Sequence, residues 1–430
     1  MSEHKCKGCA EYRDLSRRQF VGLSAGLVAA AVAPSWLPRV AYAQSDDSGR
    51  DVMVSIFLRG GLDSLSMCVP FTEQAYYDLR PTIAVAPPDS SSGVRALDLD
   101  GTFGFAPSLG GLIDAFDDGE LLVIHACGLP SSSRSHFEAM HSIEVGEADP
   151  PPSVFTGWLG RHLASTAPSL RDGVLRAVGI GYGLQRTLVG APKALPISDL
   201  ADFGFQGSGA TRRERKVVLE EIYKYATEPL KTSASDTFRT VDTLNKISFT
   251  RYKPKGGARY PNSQFGYTMK SVAALIKAEV GVEAVAMDLD GWDTHGFQGN
   301  LDGSMMYLLR DLSDSLAAFY RDMKASNARN VVTVVMSEFG RNAFENGSAG
   351  TDHGYGGLML AMGSSINGGR VLTQWPGLSK NDLFEEQDLQ ITIDYRDILT
   401  EILTRRMGNT DYRKVFGDSG YTPITHGVVI

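Results

Sequence analysis

The stretch VVTVVMSEFGRNAFENGSAGTDHGYGG, Val331 to Gly357, decides how this chain is read. It opens on a nearly unbroken apolar run, Val331 to Met336. Such a run is the pattern of a strand covered on both faces, as in a parallel sheet between helices. The run stops at Ser337-Glu338, and a glycine-rich loop then delivers Thr351-Asp352-His353-Gly354. A buried strand tipped by a carboxylate, with an Asp-His pair close behind, needs a reason other than packing. In open parallel sheets ligands gather where the carboxyl ends of the strands meet the loops.

Working outward, four more runs share the pattern: Val52–Leu58, Leu121–Ala126, Ala284–Leu289 and Leu358–Met362. Helical spacing lies between them. Met305, Leu308, Leu312, Leu316 and Phe319 recur every three or four residues, as do Phe265, Met269, Val272, Ile276 and Val280. Ile398, Leu399, Ile402 and Leu403 mark another helix. Strands alternating with helices predict an α/β fold, a three-layer α/β/α sandwich with a mostly parallel sheet. The segment ADPPPSVF breaks the pattern near residue 150. From there to about 260 the sequence reads as loops plus the charged helix TRRERKVVLEEIYKYA, an insertion capping the core.

The first 43 residues do not belong to that fold. SRRQFVGLSAGLVAAAVAP carries the arginine pair Arg17-Arg18, a short apolar stretch follows, and AYA precedes Gln44. These are the parts of a twin-arginine (Tat) signal peptide with cleavage after Ala43. Gly22, Gly26 and Pro34 interrupt the apolar run, which is too short to span a bilayer. The mature chain, 44–430, is therefore expected in the periplasm or secreted, without a transmembrane segment. The Tat translocon is its partner during export. That route carries folded proteins, often with a metal or cofactor already loaded. Residues 1–43 hold six Lys/Arg and three Asp/Glu, a net +3, so removing them takes the charge from −8 to −11. An acidic chain lacks the basic face that nucleic-acid binding requires. Cys6 and Cys9 leave with the signal; Cys68 and Cys127 remain, as a disulfide or as two buried thiols.

Each predicted strand delivers polar residues to one rim. The first supplies Asp63 after Gly60 and Gly61, and the second leads through a serine-rich loop to Arg134, Ser135 and His136, where a helix begins. The third supplies Asp288, Asp290, Asp293 and His295; the fourth supplies Glu338, with Arg341, Asp352 and His353 in its loop. Taken singly, Asp63 or Ser135 reads as a helix cap, Asp293-His295 as a turn, and Glu338 as the ion-pair partner of Arg341. Taken together they are oxygen and imidazole donors at four successive strand ends, which is what a divalent metal site uses. Uncompensated carboxylates would be costly there, and a cation removes the cost. The expected cofactor is one or two divalent ions, with Zn or Mn fitting best and Ca or Mg compatible. His125 reads as a core histidine, and Asp394 as a cap of the last helix.

This arrangement resembles the alkaline phosphatase-like superfamily of phosphatases, sulfatases and phosphoglycerate mutases. More closely, RGGLDSLS, RSHFEAM, WDTHG, SEFGR and GTDHGYGG resemble the signatures of the twin-arginine-exported family called domain of unknown function 1501. The resemblance implies metal ligands among Asp63, Asp293, His295, Glu338, Asp352 and His353. It implies a nucleophile at Ser135, with Ser131, Ser132 and Ser133 as neighbours, and catalytic support from Arg134 and His136. Arg341 would bind substrate. Phe339 departs from the superfamily, which has a metal-binding histidine after the acidic residue. The implied activity is hydrolysis of phosphate or sulfate esters, by a Ser nucleophile or a metal-activated water, on a small anionic ester or a polysaccharide. The competing reading is a non-catalytic, metal-containing binding or assembly protein for a cell-envelope polysaccharide or protein.

Overall fold

The structure, a computed structural model, describes residues 51–430 except 92, 132, 152, 170–172, 205–207, 300, 329 and 418–419. The expected signal peptide and Ser132 lie outside the described residues. Nine strands form the main sheet: β1 (Val52–Arg59), β2 (Leu121–Gly128), β3 (Ala177–Ile180), β4 (Ala194–Ile197), β5 (Ala284–Asp290), β6 (Val331–Ser337), β7 (Gly357–Met362), β8 (Arg370–Leu372) and β9 (Ile393–Asp394). Their order is β8-β2-β7-β6-β1-β5-β3-β4, with β9 paired to β2. The helices that matter here are α1 (His136–Val145), α2 (Trp158–Ser165), α3 (Arg212–Lys224), α4 (Gln264–Lys277), α5 (Ser304–Ala325) and α6 (Tyr395–Arg405).

Strand β1 lies between β5 and β6, parallel to both, with Ser55 opposite Ala286 and Val334. Successive side chains of a strand point to opposite faces. So Val54, Ile56 and Leu58 enter one core, with Met269 and Val272 of α4 and Leu309, Leu312 and Leu316 of α5. Met53 and Phe57 enter the other, with Leu159 of α2 and Ile398 and Ile402 of α6. Helices on both faces explain why these strands are apolar throughout. The fold is the expected α/β/α sandwich around a mostly parallel sheet.

Two features differ from the expectation. Strand β7 runs antiparallel to both neighbours, β2 and β6. A parallel return would need a crossover, usually a helix. The 338–356 loop contains no helix, so the chain turns back where it left the sheet. Both ends of that loop therefore stay on the rim where β1, β5 and β6 end. The second difference lies in the expected insertion. Part of it is not a cap: β3 and β4 extend the main sheet beyond β5, parallel to it. Runs of four residues are too short for periodicity to separate strand from loop. Residues 205–238 divide off as part of a separate compact unit; α3, within it, has no buried residue.

Cys68 and Cys127 are buried free thiols, and burial pushes both well above the ordinary thiol range. His125 is a core histidine: its Nε2 meets the Cys68 carbonyl at 2.9 Å, and burial takes its pKa down to about 4. Asp394 caps α6 by accepting from the Arg396 N–H at 2.9 Å. Among the described residues no helix is long and apolar enough to cross a membrane.

Candidate metal centre

Three loops meet on the rim because glycines let them touch. An added Cβ on Gly60 would lie 2.4 Å from the Asp293 nitrogen, and one on Gly340 would lie 1.9 Å from the Gly356 carbonyl oxygen. Contacts below 3 Å are not tolerated by real side chains, so the β1 and β6 loops can close on the site only with glycine there. Gly60 also needs its φ of +125°, which glycine alone reaches without strain.

Asp293, just past β5, is the hub. Its Oδ1 lies 2.6 Å from Arg341 Nη2, 2.8 Å from His295 Nδ1, 3.2 Å from His353 Nε2 and 3.6 Å from His136 Nε2. Ligand atoms of His136, Asp293 and His353 all fall within 4.8 Å of one another, the one such group among the described residues. The far nitrogens of two of these rings are held. His353 Nδ1 is 2.9 Å from the Arg134 backbone carbonyl, which can only accept, so that nitrogen carries the proton. His136 Nδ1 is 2.8 Å from Glu338 Oε1, a carboxylate that also accepts from the Gly60 N–H at 2.8 Å. Once His136 gives up its extra proton, both rings turn an unprotonated Nε2 toward Asp293. Metal-binding histidines are usually oriented in this way, by a carboxylate or carbonyl on the outer ring nitrogen.

The donor set passes a further test. The buried His136 Nε2 and His295 Nδ1 make no hydrogen bond, since neither is aligned on Asp293. Burial disfavours a charged His136, but the carboxylates of Asp293 and Glu338 outweigh it and push its pKa up to about 9. Burial, with Arg341 and His136 close by, holds His353 below its ordinary value. Burial would raise Asp293, yet the three histidines and Arg341 hold it far below the usual carboxylate range. The pocket therefore stabilises negative charge at Asp293, balanced by Arg341 and, without a metal, by a proton on His136 that an ion would replace. A divalent ion fits these residues. Phe339 walls the pocket, its ring 5.0 Å from those of both His136 and His353.

Other expected residues are placed differently. Asp63 does not join the cluster; it is buried in a bidentate pair with Arg80 at 2.7 and 3.0 Å, and accepts from Ser66 and Gln298 at 2.5 and 2.6 Å. Its side chain does not cap the following helix either. Glu338 acts on His136 rather than within the donor group. Asp352 points outward, with 56% of its side chain exposed and its Oδ1 3.9 Å from His295 Nε2. Arg341, expected to bind substrate, is fully buried and donates to the carbonyls of Gly60, Gly61, Trp292 and Thr351 as well as to Asp293. Arg134 pairs with Asp388 and Glu385. Ser135 is the N-cap of α1, and its side chain makes no capping bond. Sequence reasoning missed Arg80, Gln298 and Asp388. Gln298 and Asp388 meet their partners across more than 200 residues and leave no local signal; Arg80 meets Asp63 across 17 residues that no helix or strand period pairs.

A family described as "Protein of unknown function (DUF1501)" matches residues 50–418. The chain belongs to the DUF1501 family. No curated protein matches its sequence. Among solved structures it is similar to a protein in the alkaline phosphatase superfamily from Vibrio parahaemolyticus, at 10% identity over 85% of this chain and 73% of that one, TM-score 0.34. A putative sulfatase from Bacteroides thetaiotaomicron matches at 8% identity over 88% and 76%, TM-score 0.35. The alkaline phosphatase of the Antarctic bacterium TAB5 matches at 8% identity over 84% and 100%, TM-score 0.32.

Proposed function

We propose that this DUF1501 protein is an exported metal-dependent hydrolase of phosphate or sulfate esters. The observation that carries the reading is the convergence of His136 Nε2, His353 Nε2 and Asp293 on one spot at the sheet rim, with both outer nitrogens already held. Those three residues would hold the ion, with His295 the nearest further donor. Bound there, a divalent ion supplies Lewis acidity that draws charge from an ester oxygen. Glu338 and the Arg134 carbonyl keep the imidazoles oriented. Arg341 balances Asp293 from the buried side.

Ser135 directly precedes His136 and directly follows the residue whose carbonyl holds His353. Its hydroxyl is not used to cap α1. The first N–H groups of a helix lack intrahelical partners and favour an anion. An anionic ester at the start of this ten-residue helix would meet those N–H groups and the Ser135 oxygen together. Attack by that oxygen would move the phosphoryl or sulfuryl group onto Ser135 as the ester bond breaks, the serine proton leaving with the alcohol; water would then release the inorganic anion and restore the hydroxyl, two easier displacements in place of one. The twin-arginine segment supports delivery to the periplasm or beyond.

The test uses Ser135→Ala. Ester hydrolysis, bound metal and melting temperature are measured on one preparation each of wild type and variant. Loss of turnover by several orders of magnitude, with metal and fold retained, supports the nucleophile. Full activity moves it elsewhere. One observation favours the binding or assembly reading: neither Arg134 nor Arg341 is free to grip the non-reacting oxygens of an ester. Wild type that carries metal yet leaves every phosphate and sulfate ester intact would establish that second reading.

A further inference from the structure

Beside the metal centre the same rim carries a second feature. Helices α4 and α5 both begin there, because α4 leads into β5 from below and α5 follows it from above. Two clefts lie across these helix starts. One, of about 300 Å³, is lined by Ile180 at the end of β3, Ser198 just past β4, and Gln264, Tyr267 and Lys270 of α4. The other, of about 420 Å³, is lined by Asn262, Leu289 of β5, and Tyr307, Leu308 and Arg310 of α5. They adjoin: Tyr267 of the first cleft donates its hydroxyl to the Asn262 side chain of the second. Leu289 stands four residues before Asp293. Gly291, two residues before Asp293, packs against Leu308 of the second cleft, where an added Cβ would lie 3.4 Å from the leucine side chain, so this cleft borders the segment that carries Asp293.

Its tyrosines are turned outward. Tyr267 and Tyr307 are 53% and 63% exposed. An exposed tyrosine offers an apolar ring face and a polar tip. The floor between them is apolar, from Leu289 and Leu308, and the edges carry amides and hydroxyls from Asn262, Gln264 and Ser198. Flat apolar faces edged by hydroxyl-binding groups match a pyranose ring, whose C–H faces are apolar and whose equator is polar. Charge narrows the ligand further. Lys270 and Arg310 are offset by Asp199, Asp311 and Asp314 in the same clefts, on a chain of net charge −8. A densely anionic polymer would find no attraction there.

We propose that this groove binds a neutral, hydroxyl-rich stretch of a sparsely esterified polysaccharide and presents the phosphate or sulfate ester beside that stretch to the candidate metal centre. The proposal extends the ester-hydrolase reading by naming the substrate class, yet the groove and the metal centre can be tested apart. The mature protein is run through native gels containing β-1,4-glucan, β-1,3-glucan, α-mannan or sulfated heparin. Hexasaccharides of the neutral series, and an unstructured twelve-residue peptide, are titrated by calorimetry. At least one neutral glycan should retard the protein. Tyr267→Ala and Tyr307→Ala should each weaken hexasaccharide binding fivefold or more, while Tyr267→Phe, which keeps the ring, should stay within twofold of wild type. Both positions are exposed, so folding is preserved, and circular dichroism confirms it. Asp293→Ala, which disables the metal centre, should leave glycan retardation intact; that separates failure of the groove from failure of the hydrolase reading. Absence of retardation by all three neutral glycans overturns the proposal. So does stronger binding of heparin or of the peptide, or binding unaffected by both tyrosine-to-alanine changes.

Discussion

Asp293 shows how one carboxylate organises a site. Four nitrogens crowd its Oδ1, three of them imidazole. In the metal-free protein a proton on His136, with its pKa at about 9, balances part of that charge. A metal must displace this proton, because a ligating imidazole is neutral. Affinity for Zn should therefore rise about tenfold per pH unit from roughly 6.5 to about 9 and then level off. Titration calorimetry in buffers of different ionisation enthalpy should record proton release on binding at pH 7.5. His136→Ala should abolish both the binding and the proton release. Arg134 invites a related test. Asp388 is buried and holds its guanidinium, while its carbonyl holds His353. Asp388→Asn should weaken Zn affinity more than it lowers the melting temperature, and Arg134→Lys should restore little, since a single ammonium cannot span Asp388 and Glu385. Asp63 differs in kind. Burial would raise its pKa, but Arg80 holds it down. A carboxyl lowered in the folded state stabilises above its unfolded value, near 4, and that contribution disappears as pH falls through the folded value. Arg80→Met strands Asp63 as a buried charge and should cost about 3–5 kcal/mol in urea unfolding at pH 7.

At the scale of elements, the antiparallel strand β7 matters most. It brings the chain back to the rim it left, so one loop supplies Arg341, Asp352 and His353 and closes over Phe339. Inside that loop the Gly340 N–H donates to the Tyr355 carbonyl at 3.0 Å, and the Gly354 N–H to the Gly340 carbonyl at 2.9 Å. Gly340→Ala forces a Cβ against the Gly356 carbonyl, 1.9 Å away in the native backbone. Backbone cannot yield as a flexible side chain can. The substitution should destabilise by about 1–3 kcal/mol and displace His353, lowering bound metal measured by mass spectrometry. A Gly183→Ala control, in open space and without a positive φ, should leave metal content unchanged.

For the molecule as a whole, metal that binds only the folded state must raise its stability. Zn at a hundredfold excess over Kd should add about 2.7 kcal/mol to unfolding, reversed by chelation and absent in Asp293→Ala. Delivery is a separate matter. Replacing Arg17 and Arg18 by Lys should hold the precursor in the cytoplasm, because the Tat machinery reads the arginine pair; normal periplasmic accumulation would count against the signal assignment.

The fold class was legible because burial on both faces leaves a direct chemical trace. Val331–Met336 is apolar throughout since helices cover both sides of β6, and α5 repeats every three or four residues since one stripe meets the core. Strand ends pointed to Asp63, Asp293, His295, Glu338, Asp352 and His353 as one ligand group on the rim; of these Asp293 and His353 share the donor group, and its third member, His136, was expected as catalytic support. The strand direction of β7 and the pairing of β3 and β4 were not legible, since hydrogen bonds between backbones are nearly blind to side-chain identity. The roles within the group were not legible either. Whether a carboxylate meets a metal, an arginine or an imidazole depends on which cation lies nearest, and Glu338 reaches His136 only after segments 202 residues apart fold together, while Arg80 turns back to Asp63 across 17 residues. The residue types that make a charged site were written in the chain. Their partners were settled by three-dimensional distance, because electrostatic and hydrogen-bond energies fall off within a few ångströms.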